Sequence, residues 1–177
     1  VWHCDSLGDY SHFSQNVRQD TSTFLRGIQL SNRQGEAIFD TIYPGWYPGR
    51  AIHVHVKVHV GGSITNSSGT YMGGHVSHIG QLYFNETLTD QISQLAPYNT
   101  RRGERLRLTN DFTYTRLNGS AAMVNVQLKN QANNLSGGII GHVTLGVDSK
   151  QTVQAEMDFG MRPPRPGQRP PPRPTRP

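Results

Sequence analysis

From His53 to Val60 polar and apolar residues alternate without a break: Val54, Val56, Val58 and Val60 point one way, His53, His55, Lys57 and His59 the other. A period of two predicts a strand with one apolar face, and it sets His53 and His55 side by side, one pleat apart. Elsewhere the pattern predicts many short strands. VWHC opens the chain as one, with a turn near Gly8. FLRGIQLS and EAIFDTIY flank Asn32 to Gly35, whose turn chemistry predicts a hairpin. Gly61 to Gly74, rich in Gly, Ser and Thr, predicts a long loop, and IGQLYF, RLRLTND, AAMVNVQLKN and GIIGHVTLGVD predict further strands. Leu88, Ile92 and Leu95 recur at helical spacing and predict the chain's one short helix. The expected fold is mainly β, an antiparallel β-sandwich with one short helix and long loops.

Pattern fails altogether from Arg162. Residues 162–177 read RPPRPGQRPPPRPTRP, half of them proline, with five arginines and no acid. Without apolar residues for a core, this tail is expected to be polyproline II or disordered, a solvated extension rather than a ligand for a proline-recognising module. The folded core is expected over residues 1–161. The tail also explains the charge. The whole chain of 177 residues carries 17 basic and 12 acidic residues, and removing the tail's five arginines leaves twelve against twelve. A nucleic-acid groove needs its positive charge on the folded body, so no nucleic-acid partner is expected. No apolar run approaches the roughly 20 residues that span a bilayer, so no membrane partner is expected.

The chain opens inside a strand-like segment and its first methionine is Met72, so further residues are expected to precede Val1. Cys4 is the single cysteine. It reads either as a buried free thiol or as half of a disulfide to a cysteine in that preceding part. Acceptor sequences for N-glycosylation at Asn66, Asn85, Asn118 and Asn134 point to a secreted, extracellular protein whose signal region lies outside this chain.

Two imidazoles on one strand face suggest a metal, and by themselves they suit zinc, copper, nickel or iron. His59 continues the face, but four residues of strand put it roughly 13 Å from His55, beyond a shared ion. No HExxH, cysteine pair or spaced carboxylate accompanies them. The neighbourhood does offer tyrosine: Tyr43 and Tyr47 sit just upstream with Arg50, in a loop stiffened by Pro44 and Pro48. A phenol with a pKa near 10 ionises at neutral pH only beside a strong Lewis acid, so two histidines with two tyrosinates would favour ferric iron.

The run DSLGDYS after WHC, the segment TFLRGIQ through GEAIFDTIYPGWYPGR, and HVHVKV together resemble the intradiol ring-cleavage dioxygenases, in particular their secreted branch. The resemblance extends from Val1 to about Asp158, leaving the family's N-terminal portion out. It implies a β-sandwich holding mononuclear non-haem Fe(III). The implied reaction inserts both atoms of O2 into a catechol, cleaving the ring between its two hydroxyl-bearing carbons to a muconate-type diacid. Carried over residue by residue, the metal ligands are Tyr10, which ends the D-x-x-G-x-Y motif, Tyr47 in the P-G-x-Y-P turn, and His53 and His55. Tyr47 and His55 are implied to be axial, Tyr10 and His53 equatorial. Tyr47 is further implied to leave as a base, Arg50 to face the negative substrate ring, and Gln81 in GQLYF to hydrogen-bond near the oxygen. Tyr43 is read as a core aromatic. Gly49 stands where the family often has an aromatic, which would open the pocket mouth. The rival reading is a non-catalytic metal-binding β-sandwich that captures zinc or copper through His-x-His.

Overall fold

The computed structural model describes residues 1–12, 21–65, 69–129 and 134–153. The proline-arginine tail and the Asn66 acceptor site lie outside them. The chain is mainly β. Its dominant element is a long antiparallel hairpin, β1 (His53–Ile64) with β2 (Tyr71–Tyr83). A second antiparallel pair joins β3 (Asn125–Leu128) to β4 (Ile139–His142). Between them lie two helices, α1 (Glu86–Ser93) and α2 (Phe112–Arg116). Among the described residues no helix is long and apolar enough to cross a membrane.

Cross-strand partners in a ladder share a face, so register decides which side chains meet. His53 pairs with Tyr83 and His55 with Gln81, whereas Val54 pairs with Leu82. The hairpin therefore carries His53, His55, Gln81 and Tyr83 on one face and the apolar set on the other. Val54, Val56 and Leu82 are buried against Val1, Phe84, Val124 and Leu145. On the histidine face, Tyr83 packs with Ala51 and Leu108, joined by Tyr114 and Met123. The start of β1 is thus buried on both sides.

The expected loop from Gly61 to Gly74 is instead mostly ladder, with Gly62 paired to Gly73 and Ile64 to Tyr71. At two of its glycines a side chain would not fit. A Cβ on Gly74 would lie 2.2 Å from the Val60 carbonyl oxygen, and one on Gly62 would collide with the Tyr71 ring. Composition alone reads such a stretch as loop.

Three other expectations change. The turn at Asn32 forms, its Oδ1 accepting from the N–H groups of Gln34 and Glu36, but no ladder flanks it. Ile28 and Ile38 stay 65% and 82% exposed, having no second apolar face to meet. The opening strand reduces to one bridging residue: Trp2 pairs with Arg26 on one side and with His55 on the other. Finally, RLRLTND forms a tight 3-10 turn at Leu108–Asn110 and leads into α2, which makes a second helix where one was expected. At five residues α2 is too short to show a period, and the Asp111 side chain caps it by accepting from Tyr114 N–H.

Where the helix was expected, α1 begins at Asn85, whose side chain accepts from the N–H groups of Thr87 and Leu88. It ends before Leu95, which is left 44% exposed, while Ile92 is buried. Glu86 and Asp90 on α1 pair with Arg105 and Arg107, and Glu86 also accepts the Leu108 N–H at 2.7 Å.

Candidate metal centre and active site

Two loops bring tyrosines to the histidine face. In the first, Asp5 Oδ1 accepts from the N–H groups of Leu7 and Asp9, and Asp5 N–H donates to Asp9 carbonyl oxygen, folding a tight turn that ends at Tyr10. In the second, Gly45 N–H donates to Asp5 carbonyl oxygen at 2.9 Å. The loops interlock through glycine. A Cβ on Gly8, whose φ is +89°, would stand 2.1 Å from the Trp46 carbonyl oxygen, and one on Gly45 would stand 2.4 Å from that of Ser6. Each backbone occupies the space where the other loop would need a side chain. Cys4 lies between them, a buried free thiol whose Sγ donates to the Gly45 carbonyl at 3.4 Å. Burial pushes that thiol up to about 12.

The residues expected as ligands converge. His53 Nε2 lies 3.2 Å from His55 Nε2 and 3.2 Å from the Tyr47 hydroxyl. The Tyr10 ring stands edge-on to Tyr47, centroids 5.6 Å apart, and to His55 at 5.9 Å. Tyr43 points elsewhere, its hydroxyl bonded to Thr89 at 2.6 Å and its ring against Phe84. His59 is exposed and packs on Tyr71 beyond a register slip between Val58 and His59.

The histidines are oriented by neighbours. His53 Nδ1 donates to the Ala51 carbonyl at 2.7 Å, leaving Nε2 as the free lone pair. Trp2 lies parallel to His55, 3° between planes and 4.7 Å between centroids, while its backbone exchanges both hydrogen bonds with His55. Burial, then the Arg50 charge, lowers His53 to about 4. Burial, then His53 and Arg50, lowers His55 to about 2. Both rings are neutral at physiological pH, as ligands must be. Burial raises both the Tyr10 and Tyr47 phenols, so they stay protonated unless a cation at the site compensates.

Arg50 reaches across the face. Its Nε donates to Asp111 Oδ2 at 3.1 Å and a terminal nitrogen donates to Gln81 Oε1, which also accepts the Tyr83 hydroxyl at 2.6 Å. That uses the Gln81 oxygen twice and leaves its buried Nε2 without a partner among the described residues. A cavity of about 770 Å³ lies alongside, lined by Trp46, Pro48 and Gly49 and, opposite, by Tyr98, Arg101 and Asn110; none of the four expected ligands lines it.

Two solved structures resemble this chain over most of its length. An intradiol ring-cleavage dioxygenase from Tetranychus urticae superposes with a TM-score of 0.71 at 30% identity, covering 86% of this chain and 71% of that one. The dioxygenase Tetur07g02040 superposes with a TM-score of 0.71 at 31% identity, covering 86% and 70%. The chain belongs to the intradiol ring-cleavage dioxygenases. No protein-family model and no curated protein matches it.

Family membership makes this dioxygenase an oxidoreductase whose partners are an aromatic substrate and O2. Its donor set can be tested against a metal on geometry alone. Two nitrogens 3.2 Å apart are what one ion makes when each donor sits about 2.1 Å from it near a right angle. Among the described residues no cluster of three His, Cys, Asp or Glu could hold an ion, and the phenols of Tyr10 and Tyr47 are the anionic donors that stand beside His53 and His55. Among the described residues the buried Tyr10 hydroxyl lacks a hydrogen-bond partner of good geometry, which suits a group that would serve as such a donor. The residues fit.

Reading the dioxygenase from sequence missed Asp111 and Tyr83. Tyr83 was findable, since it lies two residues beyond Gln81 and so on its face. Asp111 carried only a helix-cap signal, and nothing in TNDFTY announces a partner sixty-one residues earlier.

Proposed function

We propose that the protein is an Fe(III)-dependent intradiol dioxygenase. It cleaves the ring of a catechol between the two hydroxyl-bearing carbons, inserting both atoms of O2 and releasing a muconate-type diacid. The observation that carries this reading is the convergence of two neutral imidazoles with two partly buried phenols, a hard anionic donor set once the phenols ionise. Tyr10, Tyr47, His53 and His55 would hold the ion. Bound there, ferric iron supplies a Lewis acid that lowers the pKa of the catechol hydroxyls and draws electron density from the ring.

The chain's own groups do the rest. Tyr47, whose hydroxyl lies 3.2 Å from His53 Nε2, would as phenolate take a proton at its oxygen from one catechol hydroxyl. Arg50, permanently charged, faces the negative ring from a fixed position, and the Gln81 Nε2 donates to oxygen on the substrate side. Burial of His53, His55 and Gln81 excludes water from the reacting face. The cavity beside Gly49 gives a substituted catechol room outside the metal sphere.

Loading with ferric iron tests the reading. The expected results are a visible tyrosinate-to-iron band that shifts on adding catechol, and oxygen uptake equal to the substrate consumed. A colourless protein that binds one zinc and takes up no oxygen with single-ring, substituted or polyphenolic catechols would replace it with the non-catalytic metal-binding reading. We also place the protein in the secretory route, because Asn85, Asn118 and Asn134 are exposed acceptors. Expression through a eukaryotic secretory pathway should give a product that loses mass on glycosidase treatment; unchanged mass counts against that placement.

A further inference from the structure

Among the described residues Asp111 is the one carboxylate with no exposed surface. Its Oδ2 accepts from Ala51 N–H at 2.7 Å and from Arg50 Nε at 3.1 Å. Its Oδ1 accepts from Tyr114 N–H at 3.0 Å. A buried carboxylate is costly unless paired and hydrogen-bonded, and here it is both. Burial alone would raise its pKa, but the Tyr114 and Ala51 N–H groups and the Arg50 charge hold it below the usual carboxylate range. It is therefore an anion when Arg50 needs one.

Gln81 alone would fix the guanidinium at one point and leave the plane free to swing. Asp111 supplies the second point, on Nε, and two anchors set the orientation of a planar group. The same oxygen holds the Ala51 N–H, so the carboxylate ties the Arg50 side chain to the backbone two residues before His53. Helix capping by Oδ1 is a separate job done by the other oxygen.

We infer that Asp111 is the positioning residue that aims Arg50 at the substrate, coupling the guanidinium to the ligand strand through one carboxylate oxygen. The kinetic part of this inference rests on the dioxygenase reading; the geometric part does not.

A mutant cycle separates aiming from folding. Asp111→Asn keeps the shape but cannot present an oxygen to both sets of donors. In iron-loaded protein with an unchanged tyrosinate band, it should lower kcat/KM for catechol about 10- to 100-fold, the scale of a misplaced catalytic group. In an Arg50→Ala background the same change should cost less than about twofold, because the residue it acts through is gone. An equal fold-loss in both backgrounds makes Asp111 merely structural and overturns the inference. Asp111→Ser, which keeps a helix cap while deleting the carboxylate, repeats the test if the Asn variant misfolds. If neither variant folds, Asp111 is a folding residue and the inference fails. A second readout needs no activity. In 15N-labelled metal-free protein the Arg50 Nε–H should exchange slowly with solvent and lose that protection in the Asp111→Asn variant. Exchange as fast as that of exposed Arg33 in the unsubstituted protein would also overturn it. A protein that takes up no oxygen yet protects Arg50 defeats the proposed function and leaves standing only the geometric part, the anchoring of Arg50 by Asp111.

Discussion

The two ends of the β1–β2 hairpin use the same vocabulary to opposite effect. At the start, His53 and His55 are 2% and 9% exposed, face Gln81 and Tyr83, and are backed by Val54, Val56 and Leu82. Past the slip at Val58 and His59, the alternation continues, yet His59 stands in solvent against Tyr71 and Met72 is 59% exposed. A histidine at period two is therefore not a site. What makes one is a second layer: Trp2 stacked on His55, Ala51 bonded to His53, and two tyrosine loops closing over both.

Removing one residue from each end gives the largest contrast. His55→Ala should abolish the tyrosinate-to-iron band and lower iron affinity by at least about 100-fold, whereas His59→Ala should leave both unchanged; metal titration followed by visible absorbance reads the difference. Equal loss would mean that the far end contributes a ligand. Stability should split the same way. Leu82→Ala, buried at the near end, should cost about 2–5 kcal/mol, and Met72→Ala at the far end no more than about 0.5 kcal/mol, measured by denaturant unfolding.

Glycines sharpen the contrast further. Gly8→Ala combines a positive φ with a backbone collision and should cost about 3 kcal/mol or more, while Gly49→Ala, at φ +86° but with nothing within 4 Å of the new Cβ, should cost about 1 kcal/mol. A further small effect lies on α1. Glu86 is lowered: burial would raise it, but the Leu108 N–H, Arg105 and Arg107 more than offset that. A depressed carboxyl stabilises the fold above its unfolded pKa of roughly 4.3 and loses that contribution as pH falls through the lower folded value. Glu86→Gln should therefore cost no more than about 1 kcal/mol at pH 7 and nothing at pH 2, seen as a difference in Tm that closes on acidification.

Much of this was readable from residues alone, because strand alternation is strict where burial is strict. His53 and His55 on one face, a turn at Asn32 and a helix after Asn85 all announce themselves locally. The resemblance added Tyr10, which no spacing argument would have chosen, since the contact joining it to Tyr47 crosses thirty-seven positions of sequence. Other features were hidden for physical reasons. Gly61 to Gly74 looks like loop because close backbone approach and flexibility call for the same amino acid. The segment from Phe24 to Ile42 has the apolar content of a hairpin but lacks a surface to bury it against. Asp111 was invisible because a buried ion pair leaves no periodic trace.

The interlocked glycines bear on how the active centre can move. Gly45 is clamped against Ser6 and hydrogen-bonded to Asp5, so the segment before Tyr47 cannot swing out as a flap without dragging the Tyr10 turn with it. On the other side Gly49 has open space around it, though Arg50 beyond is pinned at Asp111 and Gln81. The backbone on either side of Tyr47 is thus tethered within a few residues. Whatever freedom that phenol has is torsional, a rotation of one ring on a fixed axle; on the proposed reading, that rotation would let one oxygen donor replace another without opening the contacts that hold Tyr10, His53 and His55.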